Sequence, residues 1–418
     1  MNVLLINHYA GGPPWGMEHR PYHLAREWVK QGHEVTVAAA SHSHVRATQP
    51  DIDGSITTQG LDGIKYRWYR TPAYQGNGVG RLRNIRAFLH ALTRDVGYLA
   101  STPKPDVVIA SSTYPLDIKV ARKIARASGA LLVYEVHDLW PLSLIELAGK
   151  SRWHPMVMWC GAAERSAYRH ADLVISMLPK VHAHMQARGL DLMKLFVVPN
   201  GVSPDAWTPE AQEPLRADVT AAVERARSKG YTVVGYAGSM GLPNALDTLI
   251  DASTILRSER FAFILVGDGH ERERLQQRAK DAKLSTVLFL PPVPKAQMPA
   301  LLSAIDIAYI GWIRAPIYRF GIAPNKLMDY MMAGCAVLHS VAAGNDPVLD
   351  AECGLTVQPE DATAVARGLR QMALMSRRDR VAMGQRGHAY VLAHHTYPVL
   401  AQRFMDAMMQ ALERRAAK

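Results

Sequence analysis

Short apolar runs alternate with amphipathic stretches along most of this chain. The first 40 residues already show the pattern: NVLLI at 2–6 is typical of a buried strand, HRPYHLAREWVKQG at 19–32 of a helix, and EVTVAAA at 34–40 of a second strand. Pro21 near the start of the helix and Gly32 past its end fit the usual helix boundaries. A strand, a helix and a strand in this order predict a βαβ unit and a parallel sheet.

The alternation continues to about residue 202 and, after a break, through the rest of the chain. Before the break, strands are predicted at 105–112, 130–138, 171–177 and 194–202, and helices at 116–128, 152–170 and 179–188. The break, SPDAWTPEAQEPLRADVT at 203–220, is rich in proline and acid, which is typical of a linker. Beyond it, strands are predicted at 231–239, 261–269, 287–293, 305–311, 336–341 and 354–359, and helices at 244–258, 270–282, 296–303 and 324–333. This order predicts two doubly wound α/β domains in series.

Two domains also suit the length of 418 residues, which is too great for one ordinary hydrophobic core. We predict an N-terminal Rossmann-like domain at 1–205, a C-terminal Rossmann-like domain at 206–395, and a final helix at 396–418 that packs back toward the N-terminal domain. Open parallel sheets bind ligands at the carboxyl ends of their strands. We therefore expect the two domains to face a central cleft that holds the ligand.

The formal net charge of +11 favours phosphates, nucleic acid or anionic lipid as partners. Nucleic acid is disfavoured because the sequence has no basic tail and no aromatic-basic recognition pattern. Three cysteines without a CxxC spacing suit free thiols in a reducing compartment. We see neither a signal peptide nor a run of about 20 apolar residues, so we expect a cytoplasmic protein. The oligomeric state is not readable.

Two loops in the first half carry candidate chemistry at predicted strand ends. Gly11 and Gly12 follow the first strand, where the backbone would pass close to a ligand, and Glu18 stands where this loop becomes a helix. The strand in YEVHDLWP ends in His137 and Asp138, and polar groups at a carboxyl end point toward a ligand. The alternatives are an ordinary turn for the first loop and a structural histidine for the second.

A glycine-rich loop in the second half, at 238–244, joins a predicted strand to a helix. Its backbone N–H groups suit a diphosphate, with Gly238, Ser239 and Asn244 as candidate contacts. Gly267 lies in a similar junction, VGDGHERERL, where the backbone would approach a nucleotide base. Each signal is weak alone, because glycine loops join many strands to helices.

The stretch GWIRAPIYRFGIAPNKLMDY at 311–330 adds cations and a carboxylate. The negative charge of a phosphate would be neutralised by Arg314, Arg319 and Lys326. Asp329, one helical turn beyond Lys326, would accept two hydrogen bonds from a ribose diol. Together they indicate a nucleoside-diphosphate site. The alternative is a surface ion pair between Lys326 and Asp329, which their apolar neighbours disfavour.

Six segments in this order resemble the retaining glycosyltransferases of family 4, which have the GT-B fold. They are the glycine-rich first loop, VHD, PNGV, YAGS, VGDG, and PNKLMDYMMAG followed by AVL. The resemblance covers essentially the whole chain. The opening segment and YEVHDLWPLSLIEL look closest to bacterial enzymes that transfer N-acetylated amino-deoxyhexoses, such as N-acetyl-L-fucosamine, in O-antigen or capsule assembly.

The resemblance implies roles on the first domain. The Gly11–Gly12 loop would approach the donor diphosphate and the acceptor, and His137 would contact the transferring sugar. Asp138 and Glu18 complete the candidate catalytic set. No carboxylate is assigned as a nucleophile, since the departing phosphate oxygen would take the acceptor proton in a same-face substitution.

On the second domain, the resemblance implies that the 238–244 loop holds phosphate, that Lys326 assists the diphosphate and that Asp329 binds the ribose hydroxyls. The donor would be a UDP-sugar, bound without a metal and without a further cofactor.

Three positions depart from the family pattern. Ser239 and Asn244 stand where many members have Arg and Lys. Gly321 stands where many have the first glutamate of a Glu-x7-Glu pair, whose second position is Asp329. This loss puts the usual contact to the donor sugar in doubt. The missing positive charge would have to come from other cations of the segment: Arg314, Arg319 and Lys326.

The sequence therefore predicts a retaining, metal-independent glycosyltransferase that moves an N-acetylated amino-deoxyhexose from a UDP-sugar to a lipid-linked or glycan acceptor in bacterial surface polysaccharide biosynthesis. Two alternatives stay open. One is a UDP-sugar 2-epimerase, which shares the two-domain fold. The other is a sugar-nucleotide-binding protein without activity, in view of the three departures.

Acceptors in such pathways are often carried on a polyprenyl diphosphate at the inner membrane. The stretch GRLRNIRAFLHALTR at 80–94 alternates arginines with apolar residues and would rest peripherally on anionic lipid. WHPMVMWCG at 153–161 adds aromatic and methionine side chains. The alternative for both stretches is core packing with one solvated face.

Overall fold

The computed structural model describes residues 1–16, 19–76 and 78–417. The chain divides into two compact units. Unit 1 comprises Met1–Asn200 together with Tyr397–Lys418, and unit 2 comprises Gly201–Thr396. Each is an α/β domain built on a predominantly parallel sheet.

The strands of unit 1 are β1 (Asn2–Ile6), β2 (Glu34–Ala40), β3 (Ile56–Leu61), β4 (Ile64–Tyr69), β5 (Val107–Ala110), β6 (Leu131–Val136), β7 (Leu173–Ser176) and β8 (Leu195–Val197). They form one sheet in the order β3-β4-β2-β1-β5-β6-β7-β8. Every neighbouring pair is parallel except β3 and β4. All residues of β5 and β6 are buried, as expected where helices cover both faces of a parallel sheet.

The antiparallel edge strand β3 was not predicted from the sequence. Asp62 and Gly63 join it to β4, and both have positive φ, 50° and 78°. This pair forms a two-residue hairpin turn, for which Asp-Gly is a preferred sequence. The prediction of a purely parallel first sheet is therefore wrong at this edge.

The sheet of unit 2 contains β9 (Thr232–Ala237), β10 (Phe261–Val266), β11 (Val287–Leu290), β12 (Ile307–Gly311), β13 (Val337–Ser340) and β14 (Gly354–Thr356). These strands are parallel and lie in the order β11-β10-β9-β12-β13-β14. Two separate clusters of buried apolar side chains pack in this unit.

The helices of unit 1 before residue 200 are α1 (His19–Lys30), α2 (Val79–Arg94), α3 (Val96–Leu99), α4 (Ile118–Ser128), α5 (Leu142–Glu146), α6 (Pro155–His170) and α7 (His182–Ala187). Those of unit 2 are α8 (Ala217–Ser228), α9 (Leu246–Ile255), α10 (Arg272–Asp281), α11 (Met298–Ser303), α12 (Asn325–Met332), α13 (Pro347–Asp350), α14 (Ala362–Leu374) and α15 (Arg377–His394). The helix α8 begins inside the segment 203–220, so the predicted linker is too long by its last residues.

The C-terminal helix α16 (Tyr397–Ala416) belongs to unit 1 and packs against α1. The Trp28 indole donates to the Ala401 carbonyl at 3.1 Å and meets the Phe404 ring edge-on at 5.2 Å. Leu400, Phe404 and Met408 are fully buried in the unit 1 core.

Helix α2 buries the apolar side chains of Ile85, Phe88 and Leu92 in unit 1. These side chains therefore do not form the lipid-facing surface that the sequence suggested for 80–94, although Arg83 and Arg86 on the same helix are exposed. Among the described residues, no helix is long and apolar enough to cross a membrane.

Candidate active site

Polar side chains gather where β1, β5 and β6 end, because these parallel strands are neighbours. The register aligns Ile6 with Ala110 and Ala110 with Tyr134. The following residues of β1 and β5 are therefore level: the Asn7 amide donates to the Ser111 carbonyl at 2.6 Å. This edge carries the His137 side chain that the sequence singled out.

His137 is held by a serine and a buried carboxylate. Its Nε2 lies 3.1 Å from Ser111 Oγ and 3.2 Å from Glu135 Oε2. Ser111 in turn donates its hydroxyl proton to Glu135 Oε2 at 2.6 Å. Because the Ser111 hydroxyl proton points to Glu135, the contacts of His137 with Ser111 and Glu135 need a proton on the histidine. We therefore place that proton on Nε2. The arrangement fixes the ring orientation and the tautomer of His137.

Glu135 is paired with Arg20 in the interior of unit 1. The guanidinium reaches Glu135 Oε1 from Nε at 3.0 Å and from a terminal nitrogen at 2.9 Å. Arg20 also donates to the carbonyls of Val198 and Pro199. Burial alone would raise the pKa of Glu135, but Arg20, His137 and Ser111 outweigh it and hold the pKa well below its usual range. Glu135 is therefore a carboxylate at every physiological pH.

The other candidates of unit 1 are placed differently from His137. Asp138 is exposed, beside the largely buried His137. Gly11 and Gly12 are buried. The Gly11 carbonyl accepts from the Tyr66 hydroxyl at 2.8 Å, and a Cβ on Gly12 would come within 3.1 Å of the Leu61 side chain. Gly12 thus has a packing role, the Gly11 backbone is held by Tyr66, and Glu18 lies outside the described residues.

A second buried histidine at this strand edge was missed by the sequence analysis. His8 follows β1 and contacts the Tyr114 hydroxyl at 2.5 Å and Asn84 Oδ1 at 2.6 Å. Burial lowers its pKa to about 3, so the ring is neutral. His8 is fully buried and joins α2 to the strand ends. The signal in the sequence was the position of His8 two residues after a strand, as for Ser112 after β5.

In unit 2, the loops after β9 and β10 pack backbone against backbone. The Gly238 and Met240 amides donate to Val266 and Asp268 at 3.0 and 2.7 Å. Gly267 has φ of 149°, and a Cβ there would lie 1.9 Å from the Gly238 carbonyl oxygen. This close approach explains Gly267 without a ligand, and Gly238 is explained by its φ of 140° and by Lys326 Cε, which would lie 2.7 Å from a Cβ there. The contacts of both glycines with phosphate or base stay a prediction.

Lys326, in the first turn of α12, lies directly against the 238–244 loop. Its ammonium donates to the Tyr236 hydroxyl at 2.6 Å and to Asn244 Oδ1 at 3.0 Å, and it lies 4.0 Å from the centre of the Tyr236 ring. The Tyr236 hydroxyl donates to the Ser239 carbonyl. Burial lowers the pKa of Lys326 to about 7. The structure thus brings Lys326, Ser239 and Asn244 together, and their contacts with a donor diphosphate stay a prediction.

Asp329 pairs with Lys295, not with Lys326. The Lys295 ammonium lies 2.7 Å from both carboxylate oxygens of Asp329. The suggested surface pair of Lys326 with Asp329 is therefore wrong. Burial raises the pKa of Asp329, and Lys295 opposes that shift. The sequence analysis missed Lys295, which lies after β11 and reaches Asp329 only through the fold.

Arg314 and Arg319 are bound within their own part of unit 2. The Arg314 guanidinium donates to the Pro359 carbonyl at 3.1 Å. That of Arg319 donates to the Pro316 carbonyl and lies over the Phe320 ring at 4.3 Å. The cation that the structure places beside Asp329 is Lys295.

Among the described residues, no group of three His, Cys, Asp or Glu side chains could hold a metal ion.

Taken by itself, unit 2 presents at one sheet edge a lysine of lowered pKa, a carboxylate and a loop at a strand-to-helix junction. Such a set suits a ligand with phosphate at one end and a diol at the other. Unit 1 presents a histidine whose ring orientation and tautomer are fixed by a buried carboxylate, which suits contact with a polar reacting group.

Both units match known protein families. The model of a glycosyl transferase 4-like domain matches residues 16–201, and that of the glycosyl transferases group 1 matches residues 231–374. WcaI of Escherichia coli (strain K12), whose name assigns it to colanic acid biosynthesis as a glycosyl transferase, is 25% identical over 374 residues, which are 85% of this chain and 88% of WcaI.

Solved structures share the whole fold. Sucrose-phosphate synthase from Thermosynechococcus elongatus superposes with a TM-score of 0.72 at 18% identity and covers 99% of both chains. HepE of Anabaena, solved in complex with UDP and glucose, gives a TM-score of 0.65 at 15% identity and covers 97% of this chain and 99% of HepE. At these identities the likeness concerns the fold alone.

Proposed function

Because this chain is a glycosyltransferase with the GT-B fold, we propose that it transfers a sugar, with retention of anomeric configuration, from a UDP-sugar to a lipid-linked or glycan acceptor of bacterial surface polysaccharide. The sugar we propose is an N-acetylated amino-deoxyhexose. The name of WcaI, which refers to colanic acid biosynthesis, supports the polysaccharide pathway, and the UDP complex of HepE supports the UDP donor. The reaction would take place at the cytoplasmic face of the inner membrane.

The observation that carries the proposal is the set formed by Lys326, Asp329 and the 238–244 loop in unit 2. We assign the donor diphosphate to Lys326 and the loop, and the ribose diol to Asp329. Positive charge at Lys326 would stabilise the diphosphate as it departs, which is the main electrostatic demand of glycosyl transfer. Lys295 would remain beside Asp329 and add charge that Ser239 and Asn244 lack.

On unit 1, we assign contact with the transferring sugar to His137. The Glu135–Ser111 pair holds the Nε2 proton, so the neutral ring of His137 would accept a hydrogen bond from the sugar at Nδ1. The acceptor proton would pass to the departing phosphate oxygen on the same face of the sugar. No metal or further cofactor takes part in this proposal.

A thermal-shift panel tests the donor assignment. Wild-type protein is heated with UDP, GDP, ADP and their sugars, first without metal and then with Mg²⁺. We expect UDP and its sugars alone to raise Tm, since a ligand at 100 times its Kd adds about 2.7 kcal/mol. The same Tm increase with and without Mg²⁺ is expected, and a UDP effect that depends on Mg²⁺ would contradict the metal-independent proposal.

Two variants localise that binding. Asp329→Asn should weaken UDP at least tenfold while Asp350→Asn, in α13 of the same unit, should bind UDP as wild type does. Product analysis with a UDP-sugar then separates the alternatives left open by the sequence. An epimerised donor would indicate the epimerase, and UDP binding without transfer or donor hydrolysis would indicate a binding protein.

A further inference from the structure

An apolar pocket of about 560 Å³ opens in unit 1 between α5, α6 and α7. Its volume lies within the range of roughly 300–1,000 Å³ that is typical of small-molecule sites. The apolar part of its lining is formed by Pro141, Leu142, Ile145, Val157, Met158 and Ala162. None of the site residues assigned above lines it.

Gly161 forms part of the pocket wall in the middle of α6. A Cβ on this residue would come no nearer than 3.5 Å to Arg188, 3.6 Å to Pro141 and 3.7 Å to Arg165, which are ordinary van der Waals distances. The protein itself therefore has room for alanine, which is the better helix residue. A glycine at this position keeps space open at a cost in helix propensity, as a ligand would require.

The surface around the pocket is unusually apolar for a solvated face. Helix α5 buries none of its residues, although its sequence is LSLIE. Near it, Leu147, Trp153 and Met158 are 52%, 82% and 54% exposed. Met158 lines the pocket, and Leu147 and Trp153 directly follow the lining residues Glu146 and Arg152 in the sequence. Exposed apolar side chains grouped around a pocket are typical of a binding surface.

The charged residues of the lining leave cations at the pocket. Arg188 donates to the buried Glu164 carboxylate through Nε at 2.8 Å, so these two neutralise each other. Arg152 and Arg165 also line the pocket, and Glu146 is the other carboxylate of its lining. Within 1–16, 19–76 and 78–417, neither Arg152 nor Arg165 has an ion pair. Guanidinium groups match phosphate oxygens in geometry and charge.

We propose that this pocket binds the hydrocarbon chain of a lipid diphosphate, whose phosphates are held by Arg152 and Arg165. The inference rests on the proposed function and specifies its acceptor as a lipid diphosphate. Pro141 follows His137 by four residues, which span at most about 14 Å of chain. The pocket therefore lies within reach of His137, as an acceptor whose sugar contacts His137 would require.

Binding of soluble probes tests the pocket without any donor. Farnesyl diphosphate, geranyl diphosphate and inorganic diphosphate, each below its micelle concentration, are titrated by calorimetry. We expect farnesyl diphosphate to bind at least tenfold more tightly than inorganic diphosphate, with geranyl diphosphate between them, because each buried methylene contributes roughly fourfold in affinity. Equal affinities for the three probes would overturn the proposal.

Matched variants assign the binding to this pocket. Gly161→Leu should fill it and reduce the preference for farnesyl over inorganic diphosphate to less than threefold, while Gly97→Leu, at an exposed helical glycine of the same unit with open space around it, should keep the preference. Gly161→Ala should fold with an unchanged or higher Tm and weaken farnesyl diphosphate more than inorganic diphosphate. An unchanged preference in both Gly161 variants would overturn the proposal.

The charges are tested in the same way. The double variant Arg152→Gln with Arg165→Gln should weaken all three probes at least tenfold, whereas Arg126→Gln on α4 should not. Wild-type affinities in the double variant would overturn the assignment of the phosphates.

Two further outcomes would assign the apolar surface to another occupant. Binding to phosphatidylglycerol vesicles that Gly161→Leu leaves unchanged, with no affinity for farnesyl diphosphate, would indicate a bilayer contact and overturn the proposal. A dimer that dissociates on Trp153→Ser, again without probe binding, would indicate a second copy. Failure of UDP to bind wild-type protein would instead contradict the proposed function, independently of the lipid titrations.

Discussion

At the scale of single residues, Lys326 in unit 2 and Glu135 in unit 1 are charged side chains whose environment sets their protonation. Lys326 is packed against Tyr236 and Asn244, and burial lowers its pKa to about 7. Glu135 is enclosed with Arg20 and stays ionised. The first is poised to change charge near neutral pH, and the second has a charge that the structure depends on.

The lowered pKa of Lys326 predicts that donor binding weakens as the pH rises above 7. The ammonium is present below pH 7 and is lost above it, and only the charged form attracts a diphosphate. The diphosphate of a UDP-sugar does not titrate in this range, because it is esterified at both ends. We expect the Kd of a UDP-sugar to rise by up to about tenfold per pH unit from pH 7 to 9, measured by calorimetry.

Lys326→Met is the control for this pH dependence. It should bind the UDP-sugar weakly at every pH from 6.5 to 9, with a flat profile. A wild-type Kd that is constant over this range would contradict the role of Lys326.

The enclosed pair of Arg20 and Glu135 predicts a large effect on stability when one partner is removed. Glu135→Leu leaves the buried guanidinium without its counter-charge and should lower the free energy of unfolding by about 3–5 kcal/mol. The double variant Arg20→Met with Glu135→Leu should recover most of the loss, since both charges are then gone. Urea unfolding followed by tryptophan fluorescence measures both.

The comparison for this pair is Glu259→Ala in unit 2. Glu259 pairs with Arg370 at the surface, with 34% of its side chain exposed, so removing it should cause no measurable loss. Equal effects of Glu135→Leu and Glu259→Ala would show that enclosure of the first pair has no energetic consequence.

At the scale of elements, periodicity located most of the parallel strands because their residues are apolar throughout. β6 and β10, for example, bury every residue and lie inside the predicted runs 130–138 and 261–269. The same criterion missed β3, whose residues ITTQGL are mostly polar because an edge strand has a solvated face. Periodicity could not find Lys295 either, since its contact with Asp329 joins residues 34 positions apart.

The hairpin that joins β3 to β4 gives a prediction at the same scale. Gly63 has φ of 78°, and a Cβ there would lie 2.6 Å from Val29 Cγ1. Gly63→Ala should therefore lower the free energy of unfolding by more than the roughly 1–2 kcal/mol of positive φ alone. Gly54→Ala, with φ of 69° and open space around it, isolates the backbone contribution in the same urea experiment. Equal losses in the two variants would show that Val29 simply moves aside.

At the scale of the whole molecule, the chain leaves unit 1 after Asn200 and returns to it at Tyr397. The return supplies α16, whose Leu400, Phe404 and Met408 are part of the unit 1 core. Unit 1 is therefore completed only by the last residues of the chain, whereas unit 2 is continuous. The sequence analysis predicted a final helix that packs back toward the N-terminal domain, but it did not identify the partner helix α1, which lies some 370 residues away.

Truncation after residue 396 should affect the two units differently: unit 1 should lose protease resistance, and unit 2 should keep its UDP affinity. Removing α16 uncovers the unit 1 core, so limited proteolysis should cut unit 1 rapidly. Unit 2 keeps all of its strands, and UDP binding by calorimetry should stay within about threefold of the full chain. A truncated protein with both units equally resistant to protease would contradict the role of α16 in the unit 1 core.

The two ends of unit 2 lie side by side, since the Val202 amide donates to the His395 carbonyl at 2.9 Å and Val202 forms a β-bridge with Thr396. A segment whose termini meet in this way can be lifted from its gene as a single cassette. Recombination between related genes at these two points would exchange the whole of 201–396 in one event. The two segments of the chain that form unit 1 would stay unchanged. Donor choice, if it resides in that cassette, could then be inherited separately from acceptor choice.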